Sequence, residues 1–147
     1  MQNLSFNDGY KEFSINGDES RVIRVNPSDF ALVERFNTAI EDIEGKIGSV
    51  GDITIDANGN PVDELKETAA MIKEVREYIN EKIDFIFNGK VSAVVFGNQS
   101  PLSSPGGVTL VEGFLNAIGP VLNETIKADV KARDARIKRY TSQVKKK

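Results

Sequence analysis

Protein chemistry needs groups that can hold a proton, a metal ion or a reactive electron pair, and this 147-residue chain offers few kinds of them. It has no cysteine and no histidine. Thiolate nucleophiles, disulfides, cysteine–histidine zinc sites, imidazole bases and Ser-His-Asp triads are therefore excluded. Carboxylates remain. Glu41 with Glu44, and Asp63 with Glu67, stand three or four residues apart. At that spacing two carboxyl groups share one helix face and can divide acid and base roles. These pairs sit among lysines, as solvated helix faces ordinarily do, and the pattern favours that plainer reading. Asp56-Ala57-Asn58-Gly59-Asn60 starts like a calcium loop, but Pro61 stands at the sixth position, where the loop's sharp turn needs glycine. The glycines between Gly97 and Gly107 belong to neither a Gly-Lys-Ser/Thr nor a Gly-x-Gly-x-x-Gly pattern, so nucleotide binding lacks support. The sequence thus predicts no catalytic residue, no cofactor and no metal site.

Composition predicts one soluble unit. The length suits a single domain, 39% of residues are hydrophobic and 28% charged, and no apolar run is long enough to cross a bilayer. The first residues, Met1 to Asp8, have neither a basic start nor an apolar stretch, so the expected compartment is the cytoplasm. Charge is more telling by segment. The chain holds 19 basic and 22 acidic residues, a net charge of -3. Residues 127–147 contain nine basic residues against Asp129 and Asp134, hence +7; residues 1–126 keep ten basic and twenty acidic residues, hence -10. The division suggests a core domain over 1–126 and a basic helical tail over 127–147. Such a tail reads either as a solvated last helix, its cations at the negative end of the helix dipole, or as a docking arm. An arm of this kind suits an acidic protein surface, the acidic body of a neighbouring copy, or a nucleic-acid backbone.

Hydrophobic periodicity supplies the elements. Tyr10–Ile15 and Arg21–Val25 are rich in β-branched and aromatic residues and flank Asn16-Gly17-Asp18-Glu19-Ser20, which predicts a hairpin with a five-residue link. Asn26-Pro27-Ser28-Asp29 predicts a helix start with Asn26 as N-cap and Pro27 in the first position. Val33, Phe36, Ile40, Ile43 and Ile47 then mark one apolar stripe, stopped by Gly48 to Gly51. Asp52 to Pro61 reads as a short strand or extended linker. A second helix is expected over 62–88, with Leu65, Ile72, Val75, Ile79, Ile83 and Ile86 inside and Gly89 as its cap. Val91–Phe96 is a brief apolar segment, and the loop after it is expected to be the least ordered part of the core. A third helix starts near Val108 with Leu110, Phe114, Ile118, Leu122 and Ile126 four residues apart; Gly119-Pro120 is expected to bend it. Beyond the bend the apolar positions thin to Val130, Ile137 and Val144, with Tyr140 beside them. The fold class is α+β and mainly helical: an N-terminal hairpin, an antiparallel pair of long helices, and a third helix extending into the basic tail.

Three phrases carry a resemblance: Ile83-Asp84-Phe85-Ile86-Phe87-Asn88-Gly89, Val95-Phe96-Gly97, and Gly113-Phe114-Leu115-Asn116-Ala117-Ile118 running on to Arg139-Tyr140-Thr141. Together they resemble the tail assembly chaperones encoded by siphophages and prophages of Gram-positive bacteria. In that group a helix ends in an Ile-Asp-x-Ile-Phe-Gly type phrase, a Phe-Gly follows, and a further helix ends in a Lys-Tyr phrase. Here Asn88-Gly89 stands where Phe-Gly or Gly-Glu-Gly is more usual. The resemblance implies a noncatalytic protein of the host cytoplasm that assists tail formation by binding the tape measure protein or tail tube subunits. Homo-oligomers are a separate expectation, from the opposite charges on body and tail. Holding a helical, partly apolar client needs an exposed apolar face. Phe114, Leu115, Ile118, Val121 and Leu122 are candidates for it, the alternative being that they are core. Val130, Arg133, Arg136, Ile137, Lys138, Arg139, Tyr140 and Val144 are candidates on the tail. A nucleic-acid partner is disfavoured, because the tail has one aromatic residue and no recognition motif while the acidic body repels phosphate.

Overall fold

The computed structural model describes residues 1–49 and 65–145, with side chains for 1–48 and 69–142. It is a two-stranded hairpin followed by helices, as the α+β, mainly helical reading expects. The linker, its Asn-Gly turn, residues 62–64 of the expected second helix, the Asp63 and Glu67 carboxylates and the side chain of Leu65 lie outside the described residues.

Strands β1 (Lys11–Ile15) and β2 (Asp18–Val25) pair antiparallel. The link between them is two residues rather than five. Asn16 and Gly17 both have positive φ, 53° and 76°, the backbone that turns a right-twisted hairpin in two residues. The polar run after them joins the strand. There the register slips, because Ile15 pairs with Asp18 while Ser14 pairs with Val22, so Glu19 to Arg21 bulge out. Alternation does the rest: Ile23 and Val25 are buried, with Phe13, the cross-strand partner of Ile23, beside them.

Helix α1 spans Phe30–Ser49, three residues later than the sequence predicts for its start. The Asn26 carboxamide oxygen accepts from the Ser28 N–H at 3.0 Å and closes a turn, whereas the Asp29 carboxylate accepts from Ala31 N–H at 2.9 Å and caps the helix. The buried stripe is also displaced. Leu32, Ala39 and Ile43 face the core, while Val33 and Ile47 are 37% and 36% exposed.

Helix α2 spans Leu65–Phe87 and buries Val75, Ile79, Ile83 and Ile86 almost completely; Ile72 is exposed. Its antiparallel pairing with α1 is written in the contacts between them. Arg35 donates to the Ile86 carbonyl at 2.9 Å, and Lys82 and Lys46 meet Asp42 and Glu74 at 2.9 Å each, so one number rises as the other falls. Lys82 and Lys46 also flank the Tyr78 ring, each 5.3 Å from its centre. The hydrogen bond that Lys82 donates to Asp42 raises the Lys82 pKa above the ordinary lysine value; burial opposes it, and neighbouring negative charge adds to it. A raised folded-state value means the pair's stabilisation is complete below the unfolded lysine pKa and fades as pH climbs through the folded one. Both side chains are partly exposed, which keeps the contribution under about 1 kcal/mol. The stability gap between wild type and Lys82→Gln in urea titrations is expected to narrow in the alkaline range; a gap that stays constant there contradicts the ion pair as its source.

Candidate protein-interaction site

Asn88, not Gly89, takes the left-handed backbone at the end of α2, with φ 53°. Gly89 N–H then reaches back to the Asp84 carbonyl at 3.2 Å, closing a Schellman-type corner. The Asp84 carboxylate accepts from Ser92 N–H at 2.7 Å and so starts helix α3 (Val91–Phe96), the segment that the sequence shows only as a brief apolar run. At the other end of α3, the Arg21 guanidinium of β2 donates to the carbonyls of Val94 (3.0 Å) and Val95, placing a cation at the negative helix end. Gly97 follows with φ 59° and ψ -129°, a conformation open to glycine. The loop beyond it is pinned rather than loose: Leu110 N–H donates to Ser103 O at 2.9 Å, Val111 N–H to Pro101 O at 3.0 Å, and Pro101 is fully buried.

Helix α4 spans Leu110–Lys145 and is one continuous element through Pro120, so the boundary between 126 and 127 falls inside it. Its first half is built into the body. Val111, Ile118 and Leu122 are buried in the core cluster, and Phe114 meets Phe87 and Phe96 edge-on, with centroids 5.9 and 6.3 Å away. The three phrases behind the resemblance therefore converge on one aromatic joint. Of the five apolar candidates, Ile118 and Leu122 are buried in the core cluster, Ile118 at the floor of the groove described below; Phe114, Leu115 and Val121 are half-buried against the core.

Between this part of α4 and the hairpin lies an open groove of about 450 Å³, lined by Phe13 and Ile15 from β1, Ile23 from β2, Phe96, and Phe114 and Val121 from α4. Gly113 and Ala117 present no bulk on its α4 side. The hairpin's share of the site escapes sequence reasoning, because alternation shows which strand face is apolar but not which helix meets it.

The second half of α4 stands apart. Val130 is half-buried, and every residue from Lys131 to Ser142 is exposed, including Arg133, Arg136, Lys138 and Arg139. Ile137 and Tyr140 are 47% and 68% exposed. The Val144 side chain lies outside the described residues. Among the described residues, Arg133 forms an ion pair with its neighbour Asp134, at 3.6 Å. Among the described residues no group of acids could hold a metal ion, and no helix is long and apolar enough to cross a membrane. Compared with known proteins, the chain matches no family model, no curated protein and no solved structure.

Proposed function

We propose that this chain is a noncatalytic phage tail assembly protein of the chaperone type, acting in the host cytoplasm and holding an apolar helical segment of the tape measure protein or of another tail protein. The observation that carries the reading is the open groove between the hairpin and α4, about 450 Å³ in volume and lined chiefly by aliphatic and aromatic side chains, the kind of surface that receives the apolar face of a helix. The resemblance of the three phrases supplies the client class.

Ala117 gives a clean test, since it is exposed, lines the groove and is absent from the core cluster. Ala117→Trp is expected to weaken capture of tape measure fragments by about tenfold or more, through occupation of the site, while circular dichroism stays that of wild type. Undiminished capture by the tryptophan variant would remove the groove from the reading. A structural tail component also works through protein surfaces; presence of the chain in the finished particle would favour that role over a chaperone.

A further inference from the structure

We infer that the projecting half of α4 docks along the outer edge of α1 in a second copy of this chain, an interaction that goes beyond client capture in the groove and does not depend on it. Two rows of residues carry the inference. On α4, Val130, Ile137 and, by sequence, Val144 recur every seven residues, and each is followed by a lysine: Lys131, Lys138 and Lys145. On α1, Val33, Ile40 and Ile47 recur at the same interval, and the first two are followed by Glu34 and Glu41. A seven-residue repeat tracks nearly one line along a helix, and two such lines meet as a seam flanked by their charges. The two rows are alike in period and opposite in sign.

Neither row belongs to the core cluster, and only Val130 and Ile40 are as much as half-buried among their described side chains. Val33 and Ile47 are exposed, Ile40 is half-buried, and none of the three belongs to the core cluster or packs against it. Glu34, Glu41 and the adjacent Glu44 are exposed and form no ion pair among the described residues; the same holds for Lys131 and Lys138. The whole-chain balance chooses the occupant. A body of -10 attracts a segment of +7 and repels nucleic acid, and every copy carries both. Reciprocal exchange places two such seams in one symmetric contact.

Charge exchange between two variants tests this on the full chain. Sedimentation velocity at about 0.01 M and about 1 M salt spans Debye lengths from roughly 30 to 3 Å. Wild type is expected to self-associate at low salt and more weakly at high salt. Lys131→Glu with Lys138→Glu, and separately Glu34→Lys with Glu41→Lys, should each raise the self-dissociation constant roughly a hundredfold, because attractions become repulsions in both seams. An equimolar mixture of the two variants should recover association, each supplying the sign the other has lost. Circular dichroism of both variants checks that the surface changes leave the fold intact. A wild type that is monomeric at every salt, variants that associate as wild type does, or a mixture that stays monomeric would each overturn the proposal. A monomeric chain that binds duplex DNA with steep salt dependence would also overturn it and assign the arm to nucleic acid. In each case the groove reading stands or falls separately, on Ala117→Trp.

Discussion

Ile83→Ala is expected to lower the free energy of unfolding by about 2–5 kcal/mol in a urea titration, the range for emptying a fully enclosed aliphatic site. Ile83 has no exposed surface and lies between Ile79 and Ile86, which are equally buried, on the side of α2 that faces the core. The cost has two parts: the transfer of the lost methyl and methylene groups, and the cavity that close-packed neighbours fill only partly. Phe85, two residues away, is the internal control. It is 47% exposed and outside the core cluster, so Phe85→Ala should cost no more than about 1 kcal/mol despite removing a larger group. Equal losses at the two positions would mean that α2 faces the body with a different side.

Phe114→Ala is expected to cost roughly 2–3 kcal/mol, somewhat below a fully buried phenylalanine, because one side of the ring faces the groove. Its edge contacts with Phe87 and Phe96 tie α4 to the end of α2 and to α3 at once. Phe114→Leu should recover the aliphatic part of that loss and leave a deficit of about 0.5–1.5 kcal/mol per aromatic pair. Denaturation midpoints of the two variants measure the split. If leucine restores full stability, the joint is a matter of volume and the edge geometry contributes nothing.

The long helices were legible because their apolar residues recur at helical spacing over many turns, and the deepest of them, Ile79, Ile83 and Ile86, were read correctly. Rotation about the helix axis was less so. The α1 stripe was drawn through Val33 and Ile47, but Ala39 is almost wholly buried and Arg35, half-buried, bonds a carbonyl of α2. A small residue at a close helix approach and a charged residue with a buried stem both look polar or neutral in a periodicity count. Local chemistry misled in a similar way at the two turns. Asn26 and Asp29 are both good capping residues by type; Asn26 accepts from Ser28 N–H in the turn and Asp29 from Ala31 N–H at the helix start, a division that residue type does not reveal. The groove was the least legible feature, since it joins residues of β1 and α4 about a hundred positions apart.

The division of α4 has a consequence for the helix–coil balance of its outer half. From Lys131 to Ser142 no side chain is covered, so the helical backbone there is held by its own hydrogen bonds and by propagation from the anchored turns around Ile118 and Leu122. An isolated helix of this length is marginal in water, chiefly because starting it is costly; here the start is provided by the body and only elongation remains. Local opening of the arm therefore costs far less than unfolding the body, and the arm melts without disturbing the core. A surface that seats on the arm selects its helical form and draws that equilibrium toward order, so the helix content of the chain becomes a gauge of whether the arm is occupied.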